Sequence, residues 1–172
     1  MTKNIYINKM IKNRENPSGA FGTHIHPLVM AVLNTEGTVI EFGTGDFSTT
    51  ILHELCKYQN RKLISYDDHK EWHLNFVDLK SDNHEFTLVS DWSQVPIIEC
   101  GVVFIDHAPA ERRVVDIERF QNHAKILVVH DTDAINYYGY QPYFDNFKYV
   151  WKYERFKKST TLLSNFIDVS KL

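Results

Sequence analysis

Acidic and histidine side chains stand at the ends of the apolar runs of this sequence, where each predicted strand gives way to a loop. The positions after these runs are Glu41, Asp67 with Asp68, Ser90 with Asp91, Asp106 with His107, and His130 with Asp131 and Asp133. A chain with 22 acids among 172 residues would rarely place them so regularly by chance. Buried carboxylates are costly unless they accept hydrogen bonds or bind cations. We therefore expect these side chains to share a ligand site.

The elements that would bring these side chains together are short strands that alternate with helical patterns. Strands are predicted at 38–42, 61–67, 86–90, 101–106 and 126–130, and helices at 47–58, 71–79 and 110–123. This alternation predicts an α/β fold, a Rossmann-like doubly wound and mostly parallel sheet with right-handed crossovers. Segments 147–153 and 160–166 predict an antiparallel C-terminal hairpin at the sheet edge. In such sheets, ligands bind outside the carboxyl ends of the strands.

Two glycines follow the first strand, in the run E-F-G-T-G-D-F-S that starts at Glu41. Gly43 and Gly45 allow a tight turn and a close approach to a ligand, and the helix that follows points free N–H groups at it. Ser48 stands where a dinucleotide fingerprint has its third glycine, and no phosphate-loop lysine is near. Glu41 suits a cationic amine better than a pyrophosphate. Asp67 lies about 20 residues further on, where such folds place a ribose-hydroxyl acceptor. A plain strand–turn–helix with a chance acid is the alternative.

The glycine turn with its early and late acids resembles the class I methyltransferases that use S-adenosylmethionine (SAM). This resemblance implies a set of cofactor contacts along the strand ends. They are Glu41 for the methionine amino group, Gly43, Thr44, Gly45 and Ser48 in the turn, Asp67 for both ribose hydroxyls, Ser90, Asp91 and Trp92 on the adenine side, and Asp106 with His107 near the cofactor. Asp91 reads equally well as the cap of a turn, because D-W-S-Q also looks like a helix start.

The segments F-I-D-H and V-V-H-D-T-D resemble the small metal-dependent O-methyltransferases of the catechol type, and also the macrocin-type sugar O-methyltransferases. The similarity runs over roughly residues 22–133. It implies that Asp106 and Asp131 bind a metal ion. The family's third ligand position is Thr132 here, and Asp133 lies one residue further on as the third candidate ligand. An oxygen-rich set of this kind suits Mg²⁺.

The residue that would accept the proton differs from the family pattern. In the catechol type a lysine follows the D-H pair by two residues, and here that place is Pro109. We therefore expect His130 or Asp131 to be the catalytic base, because a neutral imidazole is well matched to pH 7.

The function implied by this resemblance is a SAM-dependent methyltransferase that methylates a hydroxyl of a small molecule by direct displacement, with Mg²⁺ assisting. The enzyme would mainly position the reactants, and the cation would lower the pKa of the hydroxyl. Two alternatives are a SAM- or nucleoside-binding module without methyl transfer and an NAD-type oxidoreductase, which Ser48 disfavours.

The histidines and arginines outside the strand ends each have two interpretations, one structural and one functional. A helical pattern begins near Thr23, and His24 and His26 at its start lack a third metal ligand nearby in the sequence. They are best read as polar residues at a helix start, with a substrate contact as the alternative. Arg112 and Arg113 begin the helix after the fourth strand and are read as a solvated face, or as contacts to an acidic substrate.

Length and composition indicate a single domain over residues 1–172, in which 1–21 form a loosely held arm. The net charge of −3 argues against a nucleic-acid surface. Cys56 and Cys100 lie in apolar patterns without metal-ligand spacing, which indicates buried thiols in a reducing compartment. No signal peptide or long apolar span appears, so we expect a cytoplasmic protein without a membrane partner. The aromatic C-terminal hairpin is a candidate homodimer interface.

Overall fold

The computed structural model describes residues 22–172, and the arm predicted at 1–21 lies outside them. Its centre is a seven-stranded sheet in the order β3-β2-β1-β4-β5-β7-β6. The strands are β1 (Val39–Phe42), β2 (Leu63–Asp67), β3 (His84–Leu88), β4 (Cys100–Ile105), β5 (Ala124–Val129), β6 (Tyr149–Tyr153) and β7 (Thr160–Ser164). Strands β1 to β5 are parallel, and β7 runs antiparallel to both β5 and β6. The predicted α/β fold with an antiparallel C-terminal pair is confirmed.

Helices and 3₁₀ turns connect these strands. The helices are α1 (Ile25–Leu33), α2 (Thr49–Tyr58), α3 (Lys70–Leu74), α4 (Arg113–Phe120), α5 (Ile135–Tyr138) and α6 (Gln141–Phe144). The 3₁₀ turns are Val77–Leu79, Trp92–Gln94, Ala110–Arg112, Thr132–Ala134 and Val169–Lys171. No helix within residues 22–172 is long and apolar enough to cross a membrane.

The central strands are buried along their whole length because helices cover both faces of the sheet. Every residue of β1 and of β4 is buried. On one face Ile40 and Phe42 pack with Phe120 of α4, and on the other face Val39 packs with Leu28 of α1. This two-sided burial explains why these strands read as continuous apolar runs rather than as alternating ones.

The helix predicted at 71–79 is broken in the structure. Helix α3 has five residues, none of them buried, and a separate 3₁₀ turn follows it. Trp72 and Leu74 are 40% and 56% exposed, so Phe76, which is fully buried, is the anchor of this stretch. A helix this short has no apolar face to hold it against the sheet and depends on its N-terminal cap, where the His69 side chain accepts from the backbone N–H of Trp72.

The direction of the chain connections changes between β1 and β4, which are neighbours in the sheet. From β1 the chain moves outward to β2 and β3, and it then crosses back to place β4 on the other side of β1. Doubly wound sheets bind their ligands in the crevice at the carboxyl ends of such a pair. Here that crevice is bordered by Gly43 and Asp106, the residues that directly follow β1 and β4.

Candidate functional site

The glycine turn and the F-I-D-H segment touch at the crevice. Gly43 has a φ of +88°, and a Cβ there would lie 2.9 Å from the Cα of His107 and 3.0 Å from the carbonyl oxygen of Asp106. Both the backbone conformation and the lack of space therefore require glycine at this position. The contact joins two of the predicted cofactor segments, which are 63 residues apart in the sequence if counted from Gly43 to Asp106.

Asp67 faces this turn from the tip of β2. Its Oδ2 accepts hydrogen bonds from the backbone N–H of Thr44 at 2.8 Å and from the Thr44 hydroxyl at 2.6 Å. Its Oδ1 accepts from the backbone N–H of His69 at 2.8 Å. The indole N–H of Trp72 donates to the Thr44 carbonyl and closes the turn from the other side. A carboxylate oxygen can accept more than one hydrogen bond, so these contacts leave acceptor capacity for a ligand hydroxyl.

Glu41 lies inside the protein beneath the same turn and is fully buried. The hydroxyls of Thr49 and Ser65 donate to its Oε1 and Oε2 at 2.9 and 2.5 Å. The Thr49 hydroxyl in turn accepts from the backbone N–H of Gly45 at 2.8 Å. Burial raises the pKa of Glu41 to about 7, although hydrogen bonds from Ser48, Ser65 and Thr49 act in the opposite direction. Glu41 therefore supports the turn through these hydroxyls instead of lying at its surface.

A chain of buried polar side chains continues from Glu41 across the sheet. The Ser65 hydroxyl lies 2.9 Å from Nε2 of His84 on β3, and Nδ1 of His84 lies 3.1 Å from Nδ1 of His53 on α2. Burial, with repulsion from His53, lowers the pKa of His84 to about 3, which keeps this imidazole neutral. The facing Nδ1 atoms of His53 and His84 must share one proton, so one ring donates and the other accepts. This is possible because a neutral imidazole has one N–H donor and one acceptor nitrogen.

The residues predicted on the adenine side contact other groups of the protein. Asp91 caps the 3₁₀ turn that follows it, and its two carboxylate oxygens accept from the backbone N–H and the hydroxyl of Ser93 at 2.8 and 2.6 Å. This is the turn-cap alternative. The Ser90 hydroxyl, which is exposed, lies 3.4 Å from Oε1 of Gln94. Trp92 is only 5% exposed and packs with its ring centroid 4.3 Å from that of His107. Trp92 is therefore mainly a core residue beside the crevice.

His107 contacts a buried carboxylate on helix α4. Its Nε2 lies 3.1 Å from Oδ2 of Asp116, which is fully buried. Arg112 and Arg119 bind the same carboxylate at 2.9 and 2.6 Å. Burial alone would raise the pKa of Asp116, but His107 and the two guanidinium groups together lower it. Arg112, read from the sequence as a solvated residue or a substrate contact, is therefore part of an internal ion-pair network.

Asp106 and His130 form the second half of the crevice. Nδ1 of His130 lies 3.2 Å from Oδ1 of Asp106, and Nε2 of His130 lies 3.0 Å from the hydroxyl of Thr23. Nη2 of Arg113 also contacts Oδ1 of Asp106, at 3.0 Å. The Asp106 side chain is 25% exposed, whereas His130 is buried. A carboxylate, an imidazole and a hydroxyl thus lie in line at the tips of β4 and β5.

Asp131 and Asp133, predicted as metal ligands with Asp106, face other partners. Asp131 lies between two cationic side chains, with Nη1 of Arg113 at 3.5 Å and Nζ of Lys158 at 3.3 Å. Asp133 is exposed, and its Oδ1 accepts from the backbone N–H of Ser159 at 3.4 Å. Arg113 contacts both Asp106 and Asp131, so a guanidinium group occupies the space where the predicted metal would bridge them. These three carboxylates do not fit a common Mg²⁺ site.

A different group of ligand-type side chains does converge among residues 22–172. His24, Asp106 and His130 each place one ligand atom within 4.8 Å of the others. The sequence could not show this group, because the other two ligands, Asp106 and His130, lie about 80 and 106 residues after His24. Thr49, Ser65 and Lys158 are further residues that carry no sequence signal, since isolated serines, threonines and lysines are common on strands and loops.

No protein-family model matches the chain, and no curated protein matches it. Solved structures do. A SAM-dependent O-methyltransferase from Thermotoga maritima aligns with a TM-score of 0.66 at 11% identity, over 84% of this chain and 64% of that one. An SAH-bound methyltransferase from Podospora anserina aligns with a TM-score of 0.60 at 10% identity, over 81% and 76% of the two chains.

The ribosomal protein L11 methylase of Lactobacillus delbrueckii subsp. bulgaricus aligns equally well, with a TM-score of 0.60 at 11% identity, over 82% and 78% of the two chains. The structural similarity establishes the architecture of the chain. At identities this low it leaves the methyl acceptor open, because these methyltransferases differ in what they methylate. The chain has the fold of the class I SAM-dependent methyltransferases.

Proposed function

We propose that this protein transfers the methyl group of SAM to a hydroxyl group of a small molecule. The observation that carries the proposal is the glycine turn at the β1–β4 crevice, which is held from inside by Glu41 and from the side by Asp67. Asp67 keeps acceptor capacity beside the turn, which favours a ligand with hydroxyl groups such as the ribose of SAM. The same carboxylate disfavours a pyrophosphate, because it would repel it.

The cofactor would lie across the turn. Asp67 accepts the ribose hydroxyls with the acceptor capacity that Thr44 and His69 leave unused. Glu41 acts through Thr49 and the turn, since both of its carboxylate oxygens are already bonded. Gly43 lets the turn pack directly on the backbone that carries Asp106.

In the proposed reaction, His130 accepts the proton. The acceptor oxygen attacks the methyl carbon, the C–O bond forms as the C–S bond breaks, and the hydroxyl proton passes to the imidazole. Asp106 at 3.2 Å orients the imidazole, and Arg113 holds Asp106 in place. Asp131, 3.7 Å from Nδ1 of His130, is the second candidate base, but Arg113 and Lys158 already contact its carboxylate. The reaction in this form does not need Mg²⁺ at Asp106, Asp131 and Asp133.

One cavity has the size of a small-molecule pocket, and its lining residues include neither Asp106 nor His130. It has a volume of about 470 Å³ and lies between α5, α6 and the outer strands, with Ile135, Phe144 and Thr161 among its lining residues. Thr161 donates to Thr132, two residues beyond His130. Pockets for small molecules commonly measure 300–1,000 Å³ and are mostly apolar. We propose no nucleic-acid or membrane partner.

The test is incubation of the protein with methyl-labelled SAM and a panel of catechols, phenols and sugars, together with calorimetric titration with SAM and with NAD. We expect saturable SAM binding, transfer of label to at least one hydroxyl acceptor, and no NAD binding. Saturable SAM binding with no transfer to any acceptor would favour the binding-module alternative. Tight NAD binding without SAM binding would contradict the proposal altogether.

A further inference from the structure

We propose that His24, Asp106 and His130 bind a divalent transition-metal ion, with Zn²⁺ as the best match. The three residues come from the start of α1 and from the tips of β4 and β5, and their ligand atoms lie within 4.8 Å of one another. Ligands of one Zn²⁺ ion lie about 2.0–2.2 Å from it and hence roughly 3–4 Å from each other. The separation of 3.2 Å between His130 Nδ1 and Asp106 Oδ1 already meets this spacing.

His24 provides the independent evidence that something binds here. It is 3% exposed, and neither of its ring nitrogens has a hydrogen-bond partner among residues 22–172. Its ring centroid lies 4.8 Å from that of Phe104 and 4.7 Å from that of His130. A buried polar group without a partner costs on the order of 1–3 kcal/mol, so such groups are rare unless they have a ligand. A metal ion would satisfy the imidazole at the point where Asp106 and His130 already meet.

Outer contacts orient the other two ligands. Nε2 of His130 is paired with the hydroxyl of Thr23 at 3.0 Å, which leaves Nδ1 directed at Asp106. Nη2 of Arg113 binds Oδ1 of Asp106 at 3.0 Å. Metal sites in proteins typically have such a second layer, in which the distal nitrogen of a ligating histidine and the ligating carboxylate are both hydrogen-bonded. Arg113 would then keep its contact with Asp106 as an outer partner.

The ligand types select the class of ion. Two imidazoles and one carboxylate suit Zn²⁺, Co²⁺, Fe²⁺ and Ni²⁺, whereas Mg²⁺ prefers oxygen ligands with near-octahedral geometry. Three protein ligands leave a position open for water or for a substrate oxygen. The Asp106 side chain is 25% exposed, so solvent reaches this group of ligands. If the proposed function holds, the ion would replace His130 as the group that activates the acceptor hydroxyl, because Nδ1 of His130 would bind the metal and the ion would lower the pKa of the hydroxyl. Metal binding itself does not depend on that function.

The test is titration of chelator-treated protein with Co²⁺, followed by visible absorption, and with Zn²⁺ and Mg²⁺ in a calorimeter, without SAM. We expect one Co²⁺ per chain with the intense bands of a low-coordinate site, competition by Zn²⁺ at equal stoichiometry, and Mg²⁺ binding at least about 100-fold weaker. His24→Gln should weaken Zn²⁺ binding by about tenfold or more.

Two matched controls separate this site from others. His26→Gln changes an exposed histidine that lies two residues after His24 and stacks on Tyr153. Asp133→Asn changes an exposed carboxylate that the sequence predicted as a Mg²⁺ ligand. Both variants should keep wild-type Co²⁺ and Zn²⁺ affinity. Absence of Zn²⁺ and Co²⁺ binding by the wild-type chain, Mg²⁺ binding as tight as that of Zn²⁺, or equal losses in His24→Gln and His26→Gln would overturn the proposal. Because these readouts use no SAM and no acceptor, they remain informative if methyl transfer fails.

Discussion

Single side chains decide how the crevice responds to pH, and Glu41 is the clearest case. A carboxylic acid whose pKa is about 7 in the folded chain and about 4.5 when unfolded binds its proton more tightly in the folded state. Its contribution to stability is therefore complete below pH 4.5 and is lost as the pH rises through 7. The loss reflects the cost of holding an ionised carboxylate among Thr49, Ser65 and the apolar interior.

Glu41→Gln should remove this cost. At pH 8 we expect the variant to have a free energy of unfolding higher than the wild type by on the order of 3 kcal/mol, and the difference should shrink as the pH falls toward 4.5. Urea denaturation of both proteins across pH 5–8 measures it, and the difference between them cancels the contributions of other titrating groups. A pH-independent difference would show that the proton on Glu41 is not involved.

Asp67 is the residue whose change should act most strongly on the cofactor, and because it also holds Thr44 and His69, the folded fraction of the variant has to be measured first. Asp67→Asn keeps one acceptor oxygen for Thr44 but loses the charge and the second acceptor. We expect SAM affinity to fall by about tenfold or more, because hydrogen bonds to a charged group contribute roughly 1.5–3 kcal/mol. Calorimetry measures the affinity, and Asp82→Asn, at an exposed carboxylate after the 3₁₀ turn Val77–Leu79, is the matched control. Equal effects of the two changes would argue against a ribose contact.

At the scale of elements, the N-terminal end of the sheet is fixed by Arg61, far from the crevice. Its guanidinium group donates to the carbonyls of Val32, Thr35 and Gly37, at 2.6 to 2.9 Å, and so ties the end of α1 and the loop before β1 to the start of β2. The side chain is 8% exposed. Three carbonyls would lose a charged donor if it were removed.

Arg61→Met keeps most of the aliphatic stem and removes these donors. We expect the free energy of unfolding to fall by about 2–4 kcal/mol, since buried carbonyls are left without partners. The SAM affinity of the folded fraction should stay within about twofold of the wild type, because Arg61 lies at the opposite end of the strands from Gly43. Thermal unfolding and calorimetry measure the two quantities, and a large loss of SAM affinity in a stable variant would contradict the separation.

The order of elements was predictable from the sequence, and the reasons are visible in particular strands. The apolar runs of β4 and β5 are buried on both faces, so their pattern has one interpretation. Strand β3 was predicted two residues late, at 86–90, because His84 and Glu85 look polar, although His84 is buried against Ser65. The placement of β7 between β5 and β6 depends on long-range pairing that no local pattern encodes.

The site was predictable only where it depends on strand ends. Glu41, Asp67, Asp106 and His130 could be named because parallel strands bring their carboxyl ends to one edge. The sequence does not specify which neighbour each carboxylate would bind. Thus Asp131 pairs with Arg113 and Lys158, and Asp91 caps its own turn. The assignments of these residues to cofactor, metal and catalysis remain predictions.

At the scale of the whole molecule, the strands that border the crevice belong to the same seven-stranded sheet as the other strands. Ligand binding in the crevice should therefore stabilise the whole fold. A ligand that binds only the folded chain stabilises it by an amount set by its concentration relative to its Kd. The aromatic hairpin of β6 and β7, with Val150 47% exposed, stays a candidate homodimer interface that light scattering would test.

SAM at 100 times its Kd should raise the free energy of unfolding by about 2.7 kcal/mol and the midpoint of thermal unfolding by roughly 5–10 °C. NAD at the same concentration should leave the midpoint unchanged. A thermal-shift series over SAM concentration measures this, and it needs no knowledge of the acceptor. A shift with NAD as large as that with SAM would point to a general nucleoside site.

The missing Cβ at Gly43 has a consequence for how the two halves of the crevice communicate. The loop after β1 lies directly on the backbone of Asp106 and His107, so no free space separates the two loops. A ligand that shifts the loop after β1 must therefore shift the backbone of Asp106 and His107 as well. We expect binding on one side of the crevice to change the position of the groups on the other side.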